Sequence, residues 1–124
     1  MESIQLFKVV VAGGRYFNDY SLLERKLDHL LANKLPHVQI VSGGAKGADA
    51  FGERYATERG LSVQRFPADW SSHGRAAGPI RNRQMAQYAD AVIVFWDGKS
   101  RGTQNMREEA QRLNLPLKTI YYKK

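Results

Sequence analysis

Short apolar runs and stretches of helical periodicity take turns along the whole chain, five of the first and four of the second, and this alternation restricts the fold more than any other feature. Leu6 to Ala12 is a β-branched run that stops at Gly13-Gly14, and Val38 to Val41 runs straight into Ser42-Gly43-Gly44. Leu61 to Phe66 leads into Pro67-Ala68-Asp69-Trp70 and an irregular stretch through Gly78. Ala91 to Trp96 is uninterrupted by any polar residue, as expected of a strand covered on both faces. Leu117 to Tyr121 carries Lys118, which suits a sheet edge.

Between these strands the spacing turns helical. Leu23, Leu27, Leu30 and Leu31 predict a helix over residues 20–33, capped by Asp19 or Ser21. Ala48, Phe51, Gly52, Tyr55 and Ala56 share one face of a second helix, which Gly60 stops. Pro79 falls in the first turn of a third helix, where its missing N–H costs nothing. Met106, Ala110 and Leu113 face inward on a fourth. The reading is therefore α/β: a single doubly wound, Rossmann-like domain over residues 1–124, with a five-stranded parallel sheet and helices on both faces. Right-handed crossovers favour strand order 3-2-1-4-5, with the topological switch between the first and fourth strands.

Composition removes several functions. With no cysteine there is no disulfide scaffold, thiolate site or cysteine nucleophile, and a reducing cytoplasm is the expected location. His29, His37 and His73 are scattered, so no metal site is expected. The run Val9 to Ala12 is too short for a signal peptide or a membrane span, and no membrane partner is expected. A net charge of +7, from 19 basic and 12 acidic residues, fits either a nucleic acid or an anionic small ligand.

The placement of that charge favours the small ligand. Ligands of open α/β sheets bind beyond the carboxyl ends of the strands. There the chain has Gly13-Gly14-Arg15, then Gly43-Gly44-Ala45-Lys46-Gly47-Ala48-Asp49, then Gly74 to Asn82, then Asp97 to Thr103. Glycine brings backbone N–H groups close to an anion, a helix N-terminus adds partial positive charge, and arginine offers a fork to phosphate oxygens. Seven basic residues lie in or just after these loops: Arg15, Lys46, Arg75, Arg81, Arg83, Lys99 and Arg101. A pair of glycines can equally mark a plain tight turn, and neither GxGxxG nor a Walker A pattern occurs, so the expectation rests on the four loops together. Asp49 and Glu53, at i and i+4, form a carboxylate pair of a kind more often solvated than catalytic, and Asp49 also suits a cap. Trp70 and Trp96 are either packing residues or base-stacking platforms.

Four blocks follow one another in a recognisable order: Gly13 to Asp19, Ser42 to Asp49, Pro67 to Trp70, and Gly74 to Met85. Together they resemble the YspA-related family of the SLOG superfamily, whose Rossmann-like domains include the DprA/Smf and LOG proteins. The resemblance covers nearly the whole chain and implies a pocket for a nucleotide or an NAD- or ADP-ribose-derived ligand, in small bacterial or phage proteins. LOG-type relatives hydrolyse the N-glycosidic bond of a nucleoside monophosphate and carry PGGxGTxxE after the fourth strand. Here Gly102-Thr103 match, and Met106 stands where that glutamate would be, which removes the LOG-type catalytic group. Glu108 and Glu109 are turned away from the Met106 position around the helix.

The leading expectation is a sensor or sequestering domain that needs no cofactor of its own. Gly14, Gly44, Lys46 and Thr103 would hold phosphate, Arg75, Arg81 and Asn82 would read phosphate or sugar, and an aromatic, Trp70 or Trp96, would stack on the base. The Gly78-Pro79 helix start adds another anion-binding N-terminus, and Gly13, Arg15, Gly43, Ala45, Gly47, Asp49 and Gly102 complete the expected ligand-binding set. One alternative is a phosphoribosyl or ADP-ribosyl hydrolase, with Asp49 and Glu53 the first catalytic candidates and Asp69 and Asp97 behind them. The other is single-stranded nucleic-acid binding, as in DprA-like relatives. A homodimer is expected by analogy with SLOG relatives.

Overall fold

Val9, Val10 and Val11 are all fully buried, which requires a strand with neighbours on both sides and helices on both faces. The computed structural model describes residues 5–123 and places these valines in β1 (Phe7–Gly13), the centre of the sheet. On one side β1 pairs with β2 (Val38–Ser42), which pairs with the edge strand β3 (Ser62–Arg65). On the other it pairs with β4 (Ala91–Trp96), which pairs with the edge strand β5 (Leu117–Tyr121). Every pairing is parallel and the order is β3-β2-β1-β4-β5, as expected from the alternation.

Side-chain alternation along the strands sorts the core into two layers. Val9, Val11 and Ile40 pack with Leu23 and Leu27 of α1 (Tyr20–Leu30) and Tyr55 of α2 (Ala48–Arg59). Val10, Val41, Val92 and Val94 pack on the opposite face with Met85 of α4 (Ala77–Tyr88) and Met106 of α5 (Arg101–Arg112). The reversal of winding at β1 puts α1 and α2 on one face and α4 and α5 on the other. α2 lies so close to β1 that a Cβ on Gly52 would come within 2.9 Å of Val11 Cγ1, which explains a glycine in mid-helix. Among the described residues no buried side-chain polar atom lacks a hydrogen bond.

Local chemistry settles two details. Asp19, rather than Ser21, caps α1, accepting from the Leu22 N–H at 3.0 Å. The helix ends at Leu30, short of residue 33: the Ala32 N–H bonds to the His29 carbonyl, three residues back instead of four, and the chain continues as turns. The stretch expected to be irregular holds a short helix, α3 (Trp70–His73), capped by Asp69 through the Ser72 N–H, and then a 3-10 turn that runs directly into α4.

Candidate functional site

The loops that leave the strands are tied together before any ligand is considered. The Gly14 N–H donates to the Phe95 carbonyl at 3.2 Å, and the Gly14 carbonyl accepts from Phe17 and Ala48, so the β1 turn is fastened to both β4 and α2. Gly47 makes this possible. It has φ +75, and a Cβ there would fall on the carbonyls of Gly14 and Arg15.

Over these loops opens a cavity of about 600 Å3. Its floor and walls include Gly13, Gly14, Ala45, Asp49, Gly78, Asn82 and Thr103, all expected from the sequence. Arg15, Arg75, Arg81, Lys99 and Arg101 bring five cations to it, against the carboxylates of Asp49 and Asp97. The N-terminus of α5 faces the same space through Ser100, Arg101, Gly102 and Thr103. Ser100 caps that helix by accepting from the Thr103 N–H, and Asp97 in turn accepts from the Lys99 and Ser100 N–H groups at 2.8 and 2.9 Å. A second open lobe of about 780 Å3 adjoins the first, lined by Gly43, Gly44, Lys46, Glu53 and Arg65. Arg15, Tyr16, Ala45, Trp70 and Arg81 line both lobes.

Arg81 organises the divide between them. Its Nη1 donates to the Gly43 carbonyl at 2.7 Å and its Nε to Asn82 Oδ1 at 3.0 Å, while Asn82 Nδ2 donates onward to Asn105 at 2.9 Å. A Cβ on Gly43 would lie within 2.9 Å of Asp49 Oδ2 and closer still to the guanidinium, so a side chain there would push these two side-chain ends aside. Asp49 itself is 4% exposed and accepts from the Ala45 N–H at 3.3 Å, so it is buried beneath the glycine loop rather than solvated. Burial, with a smaller push from Glu53, raises its carboxyl to about 6, despite the opposing Ala45 N–H and Arg81 charge. Burial also pulls the Arg81 guanidinium below its ordinary range, against the pull of Asp49.

The sign of the pH dependence follows. A carboxyl raised above its unfolded value binds its proton more tightly in the fold, so its stabilising effect is present at low pH and is lost as pH rises from about 4 to about 6. A change of about 2 units is on the order of 3 kcal/mol. Asp49→Asn is therefore expected to gain stability relative to the parent as pH rises through that window, with the difference level above about 7. Urea titrations of both proteins at pH 4.5 and 7.5 measure it, and an unchanged difference would contradict the placement of Asp49.

Other expected residues fall differently. Trp70 is 54% exposed and overhangs both lobes, with a ring carbon 3.6 Å from where a Gly78 Cβ would be. Trp96 lines neither: it stacks on Tyr121, lies under the Arg107 guanidinium and donates its indole N–H to the Ser100 carbonyl, as a packing residue does. Gly47 also lies outside both lobes and serves the loop crossing instead. At the Gly78-Pro79 start of α4 the Ala77 N–H is already bonded to the Gly74 carbonyl. Asp49 and Glu53 face different lobes, and Glu53 is engaged by Ser42 and Arg65. Burial alone would raise Glu53, but those hydrogen bonds outweigh it and hold the carboxyl below its ordinary value. Met106 is buried under the first lobe, while Glu109 pairs with Arg83 and Arg112 away from it.

Among the lining residues that were not singled out from the sequence are Tyr16, Arg65 and Tyr122. Tyr16 follows directly on the Gly13-Gly14-Arg15 turn, and that position was a usable signal. Tyr122 comes from beyond β5 and lies against Gly14, where a Cβ would meet its hydroxyl. Nothing local marks Arg65 or Tyr122 for this role.

Comparison with known proteins places these features in context. The profile of the YspA, cpYpsA-related SLOG family matches residues 7–73. The gene 61 protein of Mycobacterium phage D29 is 33% identical over 116 residues, covering 89% of this chain and 93% of its own length. Among solved structures, DNA processing protein A of Streptococcus pneumoniae superposes with a TM-score of 0.71 at 20% identity, over 93% of this chain and 50% of its own. The Helicobacter pylori protein of the same name, studied for its single-stranded DNA binding mode, gives 0.69 at 23% identity over 93% and 65%. TM1055 gives 0.66 at 22% over 90% and 72%. The chain thus spans half the length of the first of these structures and just under two thirds of the second. At such identities the three structures establish the fold alone.

Proposed function

The chain belongs to the YspA, cpYpsA-related SLOG family, and from that premise we propose that it binds a phosphate-bearing nucleotide at the carboxyl ends of its strands, as a sensor or sequestering domain. The observation that carries this reading is the convergence of Arg15, Arg75, Arg81, Lys99 and Arg101 with the N-terminus of α5 on one cavity. Backbone N–H groups at a helix start and arginine forks suit phosphate, and the exposed Trp70 beside them suits a base. A volume of about 600 Å3 is within the range that holds a small organic ligand.

Thermal unfolding against AMP, NAD, ADP-ribose and short oligonucleotides tests this. A ligand at a hundred times its dissociation constant adds about 2.7 kcal/mol, a shift of several degrees. No shift with any nucleotide would overturn the reading. Chromatography of the same mixtures reads turnover, for which the buried Asp49 is the first acid–base candidate.

The second reading is single-stranded DNA binding. It is favoured by the continuation of the groove into a second lobe carrying Lys46 and Arg65, and by the activity named for the Helicobacter pylori structure. Salt separates the two. Strand binding weakens with a log–log slope of about −0.7 for each phosphate contacted, so an extended strand gives a far steeper slope than one nucleotide.

Gly102 offers a sharper probe of the pocket. It has no left-handed φ, and a Cβ there would meet nothing within 4 Å. Gly102→Ala is therefore expected to stabilise α5 by up to about 1 kcal/mol. The same methyl group enters the space where an anion would approach the helix start, and AMP affinity should fall about tenfold, or about 1.4 kcal/mol. Melting and calorimetric titration measure the two effects, and unaltered AMP affinity would exclude this helix end from the site.

A further inference from the structure

The groove is larger than one nucleotide requires, and its chemistry is repeated along its length. The first lobe, at about 600 Å3, already lies in the size range of a small-ligand site, and the second adds another of about 780 Å3. Each lobe has cations of its own: Arg75, Lys99 and Arg101 in the first, Lys46 and Arg65 in the second. Arg15 and Arg81 stand at the junction with the exposed rings of Tyr16 and Trp70, 77% and 54% exposed. Aromatic surface flanked by guanidinium groups is suited to a base beside a phosphate linkage.

From this arrangement, and resting on the nucleotide reading above, we infer that the second lobe is a distinct subsite and that the preferred ligand has two nucleoside units joined through phosphate. One unit occupies each lobe, the linking phosphate lies at Arg15 and Arg81, and Trp70 covers a base at the junction. The first lobe holds a terminal phosphate unit by itself, because the α5 N-terminus opens there. In the second lobe Glu53 is occupied by Arg65 and Ser42, which leaves Lys46 as the side chain to engage the additional unit. Such a ligand has two sources, a free dinucleotide or two consecutive residues of a single strand.

Calorimetric titration with AMP, NAD, the 5′-phosphorylated dinucleotide of thymidine and a thymidine hexanucleotide tests the inference, on the parent chain and on Lys46→Ala and Arg101→Ala. Both changes are at exposed side chains. At least one two-unit ligand is expected to bind about tenfold or more tightly than AMP. Lys46→Ala should remove most of that advantage while leaving AMP within about twofold, and Arg101→Ala should weaken both ligands. NAD above the thymidine dinucleotide identifies a free dinucleotide as the source, and the reverse identifies a strand. AMP binding with no gain from a second unit, or a gain untouched by Lys46→Ala, overturns the two-lobe assignment and leaves the nucleotide reading standing. Binding of the hexanucleotide alone overturns both, as does binding of none.

Discussion

Arg81→Ala is expected to weaken nucleotide binding by about 30- to 100-fold, the largest effect of any single side chain in the groove. The guanidinium lines both lobes, so its loss removes positive charge from the centre of the site. It also leaves the Gly43 carbonyl and Asn82 Oδ1 without their donor, and Asp49 without its neighbouring charge. Charge-assisted hydrogen bonds contribute about 1.5–3 kcal/mol, and the binding loss quoted is 2–3 kcal/mol expressed as a ratio. Stability should fall by a similar amount, because a buried carboxylate is left uncompensated. Combining Arg81→Ala with Asp49→Asn separates the effects. The double variant should recover much of the stability, since the orphaned charge is gone, without recovering affinity. Arg81→Lys keeps the charge but cannot make both hydrogen bonds, and should fall between. Titrations with AMP and urea melts of the four proteins provide the comparison. Parent-like affinity in Arg81→Ala would remove this residue from the site.

The second large effect is on the scaffold. Gly47→Ala should lower stability by about 3 kcal/mol or more, a fall in melting temperature of roughly 10 °C for a domain of this size. The backbone at Gly47 has φ +75 and ψ −125, a region that side chains rarely enter. A Cβ there would also collide with the Gly14 and Arg15 carbonyls, the first of which accepts from Ala48 and Phe17. Neither obstacle is the end of a flexible side chain, so the β1 turn itself would have to move. Gly44→Ala is the control. Gly44 has nearly the same φ, +76, with nothing within 4 Å of a Cβ, and the change should cost no more than about 1–2 kcal/mol. Equal losses in the two variants would mean that backbone conformation alone, and not the close crossing of the two loops, requires glycine at position 47.

The architecture was legible because its signals are local. The β-branched run Leu6 to Ala12, the uninterrupted run Ala91 to Trp96, and glycine after the strands can all be read within a few residues. Winding rules then fix the strand order. Most of the lining residues were legible for the same reason, since a strand-end position places a residue at the ligand-binding edge. The partners of each side chain are tertiary facts, and here the reading was less complete. The pair Asp49 and Glu53 fits a solvated helical face, yet the Gly43–Gly47 loop covers Asp49 and Arg65 crosses from β3 to Glu53. The two tryptophans looked equivalent, but Trp70 is held over the groove by α3, whereas Trp96 is caught between Tyr121 and Arg107. Arg65 and Tyr122 reach the groove only because β3 and β5 end beside it, which no local pattern reveals.

The most direct test of the central claim is a titration of the 15N-labelled protein with AMP, followed through its backbone amide resonances. Binding at the carboxyl ends of the strands predicts saturable shifts that are largest at Arg15, Arg101 and Gly102, with the β-strand interior and the outer turns of α1 little changed. Saturation with the large shifts elsewhere, or no shift at those three amides at millimolar AMP, would contradict it.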